Sequence, residues 1–492
     1  MNPRDLLAQP IWEAAELGHP IPASPHAVSV ALPRWEDVVG YEEKRPEVIA
    51  RLNTGYPRFV IHAKVQELAR QLSPAPACLP FPSRRASEAA VAFIRQQSGE
   101  PAQITAWNQA LGVATTPAGA KALTAFWQHT GLIVASREAE DRLAGRPDVP
   151  HAPEIRQGLR RQLAAWYGCA ESDVFLAPSG MAAHYAALQA VMARRPGLPT
   201  VQLGFPYVDT LKLQQKVGHG GILLHDLERV GPDLDATWER TPFAACFGEI
   251  PGNPLLGSVN VREIGPWLRA RGVPLVVDDV VATPANVDLT PHADLIATSL
   301  TKYVVGTGDA MGGALICSPR SPLHDELVAI IRRQHEELLW GTEAEVLAAG
   351  ARDFPERMVR HNRGGLLIAE RLRAHPAIER VWYPKWEHPE AYDAVRRPEG
   401  GWGSLLTFLP RHAAQTAAAV YDRLEVCKGP SLGTLFTLAC PFTLLAHYTE
   451  LEWAEACGVP RHLIRLSVGL EDPDELWQRI DTALQPATPA GA

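Results

Sequence analysis

The chain has 492 residues, room for about two to four structural units; 46% are hydrophobic and 21% charged, which supports a large core and excludes wholesale disorder. A net charge of −8 argues against a protein that grips nucleic acid or an anionic membrane. There is no apolar run of about 18 residues, Met1-Asn2-Pro3-Arg4-Asp5 lacks the features of a signal peptide, and seven scattered cysteines without a C-x-x-C pair fit a reducing cytoplasm better than a disulfide framework or a cysteine-rich zinc site.

Residues 1–150 read as an irregular, helix-containing N-terminal extension, punctuated by Pro20, Pro22, Pro25, Pro33, Pro74, Pro76, Pro80 and Pro82. Helical spacing of apolar residues recurs at Lys64 to Leu72, Ser87 to Gln97 and Ala120 to Gln128, with no alternation of strand and helix. From about residue 151 to 344 the pattern becomes an α/β unit. A helix from Glu154 to Trp166 precedes the apolar Val174 to Ala177, then Pro178-Ser179-Gly180 and an Ala-rich helix from Met181. Further strands are expected at Thr200 to Gly204, Gly221 to Leu224, Phe243 to Phe247, Val273 to Val277, Asp294 to Thr298 and Gly313 to Cys317. Their alternation with helices predicts a mainly parallel sheet with helices on both faces. After Pro322 a long helical stretch runs to Arg373, and residues 345–492 read as a smaller C-terminal α+β domain ending in a frayed tail at Ala487 to Ala492.

Ligands of open α/β sheets sit at the carboxyl ends of the strands. The polar residues there are Ser179-Gly180-Met181, Tyr207, Glu249 with Asn253, Asp278-Asp279, and Ser299-Leu300-Thr301-Lys302. Only eight of the 47 basic residues are lysines, so a lysine in this position is informative. Each residue alone is ordinary: a surface lysine, a turn aspartate, a helix cap. Together they meet the needs of pyridoxal phosphate. Lys302 can take the aldehyde as a Schiff base. Asp278 can keep the pyridine nitrogen protonated. The amides after Ser179 make an anion site at a helix N-terminus, which Ser299 and Thr301 can extend. Tyr207 can stack on the ring.

The chain resembles the pyridoxal-phosphate enzymes of cysteine and methionine metabolism, the cystathionine γ-synthase group. The resemblance lies in Ser179 to Ala183, Asn253-Pro254-Leu255, Val276-Val277-Asp278, Ser299 to Tyr303, Ser431-Leu432-Gly433 and Arg465 to Glu471, and covers about residues 130 to 485. Pro25 to Val30, Val39 to Glu43, Gly55 to Phe59 and Cys440 to Tyr448 are similar to the extended, fungal-type members. The resemblance implies a type I transferase fold in which Lys302 holds the cofactor and shuttles protons, Asp278 pairs with the ring nitrogen and Tyr207 stacks on the ring. It also implies phosphate contacts from Ser179, Gly180, Met181, Ser299 and Thr301, Asn253 near the ring hydroxyl, and Arg465 with Ser431 on the substrate carboxylate. A Tyr-x-Arg motif from a neighbouring subunit should reach the phosphate. Tyr56-Pro57-Arg58 has the letters but lies far upstream, whereas Arg137 is nearer the usual spacing without the tyrosine; Arg137 is favoured.

Two departures stand out. Asp278-Asp279-Val280 replaces a common Asp-Asn-Thr, so a second carboxylate either acts on the ring or faces solvent, and Cys440-Pro441 replaces a common His-Pro. His447 is the histidine to watch, and the glycines at 306, 308, 312 and 313 are expected in a turn after Lys302. The implied reaction is γ-replacement on an O-acetyl- or O-succinyl-homoserine by cysteine, giving cystathionine, in a cytoplasmic homo-oligomer, a dimer or tetramer with shared sites, that binds small amino-acid substrates and no metal. The alternatives are a γ-lyase, another sulfur or carbon nucleophile, or a catalytically retired scaffold on the same fold.

Overall fold

The computed structural model describes residues 4–485, so the tail expected at 487–492 lies outside the described residues. At its centre is a seven-stranded sheet in the order Val174–Ala177, Gly313–Cys317, Leu295–Ser299, Leu275–Asp278, Cys246–Glu249, Thr200–Leu203, Gly221–Leu224. All neighbours pair in parallel except Gly313–Cys317, which is antiparallel to both of its partners. Alternate residues face opposite sides. Leu275 and Val277 join one core with Ile296 and Cys246. Val276 joins another with Phe247 and Leu295. Burial on both faces explains why these strands read as continuous apolar runs.

The single helical stretch expected from Pro322 to Arg373 is three helices, His324–Gln334, Gly341–Gly350 and Phe354–Ala374. The third opens with Pro355 in its first turn, where a missing N–H costs nothing. Beyond them lies a five-stranded sheet in the order Ile378–Trp382, Leu405–Pro410, Ile464–Ser467, Leu438–Pro441, Cys427–Lys428, with the helices Ala413–Arg423 and Pro473–Leu484 on its core.

The N-terminal segment departs from expectation. It contains a three-stranded antiparallel sheet, Ala77–Phe81, Ala110–Thr115 and Ala102–Trp107. Two signals were misleading. Pro80 sits in an edge strand, where it is tolerated, and the hairpin is rich in alanine, which alternates weakly. Its turn, Asn108-Gln109, has two positive φ angles, +41° and +66°, as a two-residue hairpin requires. Phe81, Phe93 and Phe126 of this unit share a core with Met181, Leu188 and Val191 of the helix Gly180–Arg194. Residues upstream pack elsewhere. Leu32, Val38, Tyr41 and Val48 belong to the core of the C-terminal sheet, and Lys428 donates from Nζ to the Pro33 carbonyl at 3.0 Å. The first 150 residues thus form a strap that grips both larger units, and residues 53–60 cross between the two grips.

Candidate active site

Of the residues assigned to cofactor or substrate in the sequence, all but Arg137 line a single cavity of about 140 Å3. It opens at the carboxyl ends of Leu275–Asp278 and Leu295–Ser299. Lys302, three residues past the second strand, is 7% exposed. Its Nζ donates to Ser431 Oγ at 2.8 Å and lies 4.5 Å from the Tyr56 ring centroid. Burial holds the amine below its ordinary pKa, with Arg465 and Arg58 acting in the same sense and Tyr56 opposing. Burial alone would raise the Tyr56 phenol, but the positive charges of Lys302 and Arg58 hold it low. The ammonium and the phenol face each other here, and each shift is set in part by the other group.

The helix Gly180–Arg194 is capped by Ser179, whose Oγ accepts from the Ala182 N–H at 3.1 Å and donates to the Gly131 carbonyl at 2.8 Å. Ser179 is therefore a cap, and the amides of Gly180 and Met181 remain for an anion. A Cβ on Gly180 would lie 2.7 Å from Ser299 Cβ, so only glycine lets this helix end close on the strand bearing Ser299. Thr301 Oγ1 accepts from the Gly312 N–H at 3.1 Å and is partly committed to the turn that follows Lys302.

Asp278 accepts from the Val280 N–H at 2.8 Å through one oxygen, and the other lies 3.1 Å from His184 Nε2. The opposite ring nitrogen of His184 lies 2.9 Å from the Gly180 carbonyl. His184 was not foreseen. It sits four residues after Gly180, hence on the same helix face, and that i, i+4 spacing is the signal that could have found it. Burial alone would lower its pKa, but Asp278 reverses the shift. Glu249, also buried, accepts from the Asn253 N–H at 3.0 Å, and burial beside Asp278 pushes its pKa to about 8.

At the substrate end, Arg465 donates from Nη1 to Asn253 Oδ1 at 3.2 Å and from Nη2 to the Ser431 carbonyl at 2.7 Å. Ser431 has φ +105°, a strained backbone that turns its carbonyl to Arg465 while its hydroxyl meets Lys302. Phe442, also unforeseen, places its ring 5.0 Å from the Arg465 guanidinium.

Three expectations are corrected. Arg137 does not line the cavity; its guanidinium is spent on Asp309 and Glu343. Tyr56 and Arg58 reach Lys302 instead, and they do so from the same chain, carried by the strap. Arg58 donates to Tyr207 Oη, to the Gln128 carbonyl at 2.8 Å and to Asp209, which His129 also holds at 2.9 Å. Asp279 neither faces solvent nor lines the cavity. It is 1% exposed and accepts from Tyr167 Oη at 2.8 Å, and burial pushes its pKa to about 7. His447 is buried but lies outside the cavity, 2.9 Å from Glu450. Among the described residues no group of three or more His, Cys, Asp or Glu could hold a metal ion, and no helix is long and apolar enough to cross a membrane.

A buried lysine, an acid at the next strand end and a free helix N-terminus closed by glycine define a site for an aldehyde cofactor that carries a phosphate. The family model described as Cys/Met metabolism PLP-dependent enzyme matches residues 152–485, and the chain belongs to that family; its cofactor is pyridoxal 5′-phosphate. Among curated relatives, cystathionine gamma-synthase of Neurospora crassa is 31% identical over 96% of this chain and 98% of that protein. L-2-amino-4-chloropent-4-enoate dechlorinase/desaturase of Streptantibioticus cattleyicolor is 33% identical over 92% and 95%. Among solved structures, cystathionine gamma synthase from Xanthomonas oryzae pv. oryzae in complex with cystathionine is 25% identical, with a TM-score of 0.59 over 69% of this chain and 87% of that one.

Proposed function

We propose that the protein catalyses γ-replacement on an O-acyl-homoserine with cysteine, yielding cystathionine. The observation that carries this reading is the convergence of Lys302, Tyr56 and the Arg465–Asn253–Ser431 group on one cavity. When bound, pyridoxal phosphate withdraws electrons from the substrate's α-carbon and acidifies first the α- and then the β-hydrogen. Lys302 would hold the cofactor, Asp278 its ring nitrogen, Tyr207 its ring face, and Gly180, Met181, Ser299 and Arg58 its phosphate.

The remaining work belongs to the chain. Arg465 binds the α-carboxylate as a planar fork, held at the correct angle by Asn253 and the Ser431 carbonyl. Lys302, whose burial disfavours the ammonium form, takes the α-proton and delivers protons along the substrate. Tyr56 exchanges a proton with Lys302 and so resets it between steps. The apolar side chains of Phe442 and Leu445 line the same cavity and limit water, which would otherwise compete with the thiol. Similarity to synthases over nearly the whole chain supports cysteine as the nucleophile. Assembly into a homo-oligomer is part of the same proposal.

The test is product analysis with O-acetyl- and O-succinyl-homoserine, with and without cysteine, alongside Lys302→Ala. Cystathionine formed only with cysteine, and lost with the visible absorbance in the variant, supports the reading. Ketobutyrate and ammonia formed regardless of cysteine would replace it with a γ-lyase.

A further inference from the structure

The helix Trp35–Glu42 ends with Tyr41 and Glu42 in the wall of the cavity that holds Lys302. The helix is firmly seated. The Trp35 N–H donates to Asp422 Oδ1 at 2.7 Å, and Val38 and Tyr41 are buried in the C-terminal core. The other acidic residues of this helix, Glu36 and Asp37, and Glu43 just past its end, all have partners. Glu36 pairs with Arg45, Asp37 accepts from the Arg34 N–H at 2.9 Å, and Glu43 takes Arg45 and the Tyr448 hydroxyl. Glu42 differs. Among the described residues no hydrogen bond or ion pair engages its carboxylate, although the side chain is half-buried. Burial pushes it up to about 7, and Lys44 and Lys212 oppose this only from a distance. Val208, Leu445 and Ala446 line the same cavity and offer no hydrogen-bonding side chain. A carboxylate taken partly out of water without a cation is unfavourable unless a ligand supplies one. The first substrate has its own sites, since its carboxylate meets Arg465 and its amine is consumed at the cofactor. The unmatched positive charge belongs to the second substrate.

We propose that Glu42 binds the α-ammonium group of the incoming amino-acid nucleophile and selects that nucleophile over thiols lacking the group. This rests on the γ-replacement reading above and gives the N-terminal strap a role in choosing the second substrate. No bond is made or broken at Glu42; it is a specificity residue at the partly exposed edge of the cavity.

The experiment compares cysteine with 3-mercaptopropionate, which is cysteine without its amino group. Holoenzyme, Glu42→Gln and Glu42→Asp are assayed with saturating O-acyl-homoserine. The parent enzyme is expected to prefer cysteine by roughly 100-fold in kcat/KM, and Glu42→Gln by no more than about 3-fold, through a raised KM for cysteine, with the mercaptopropionate constants unchanged. Glu42→Asp should keep part of the preference. An unchanged preference in Glu42→Gln, or an equal loss with both thiols, overturns the proposal while γ-replacement stands. If the parent enzyme uses neither thiol, the γ-replacement reading fails and this one with it.

Discussion

At one end of the cavity Asp278, Ser299 and Gly180 stand on the ends of paired strands and the helix that closes on them; at the other, Tyr56, Arg58 and Glu42 arrive on a strap fastened to two separate units. The first set is positioned by backbone pairing, so its members hold their spacing whatever their side chains do. The second set is held by side-chain contacts across long sequence separations, such as Arg58 to Asp209 and Tyr448 to Glu43. The cofactor end is therefore stiff by construction, and the entrance depends on a few bonds that single substitutions can remove.

Arg58→Ala attacks that dependence most directly. It strands Asp209, which is fully buried and keeps only neutral Gln128 and His129, whose other ring nitrogen lies 3.3 Å from Lys216 Nζ. Removing one partner of a buried pair should cost about 3–5 kcal/mol, read as a lower denaturation midpoint; an unchanged midpoint would mean that the strap is not fastened there. Asp279→Asn probes the stiff end. Burial raises this carboxyl to about 7 in the folded protein. The folded state thus binds the proton more tightly than the unfolded chain, and stability is lost as pH rises from about 4 through 7. The amide removes that loss. The variant should match the parent at acid pH and exceed it above pH 7 by at most about 4 kcal/mol, in denaturation curves at both pH values; equal curves at pH 8 would contradict the assignment.

Arg465→Lys keeps the charge but loses the fork. KM for the homoserine ester should rise by about 10–100-fold with kcat changed less, and initial-rate kinetics will show whether the loss falls on binding or on turnover. The smallest effect is a control far from both ends. Gln109→Gly relieves a φ of +66° in the N-terminal hairpin. It should stabilise by under about 1 kcal/mol and leave all kinetic constants unchanged.

The same contrast explains what was legible from sequence. The large sheet was readable because strands buried on both faces are apolar runs that stop at polar residues, and those stops are the site: Asp278, Ser299 and Lys302 follow from chain order alone. Arg137 is favoured over Arg58 by the family's usual spacing from Ser179, and the strap, which carries Tyr56 and Arg58 back to the cavity from far upstream, departs from that spacing. Asp279 could not be placed, because the residue that buries it, Tyr167, lies more than a hundred positions away. His184 lay within a run of alanines that read only as helix. The small sheet was hidden by Pro80 and by alanines that pack without announcing a face.

The strap also dictates an order of events during synthesis. The Leu32 N–H donates to the Lys428 carbonyl, and the Leu7 carbonyl accepts from Arg479, so these residues dock on segments made roughly 400 residues later. The α/β unit can form while the ribosome is still working, but its entrance cannot. Until residues 368–484 emerge, Leu6, Ile11, Leu32, Val38 and Tyr41 lack the surfaces they cover in the folded protein, so these early segments must wait, exposed, for their partners.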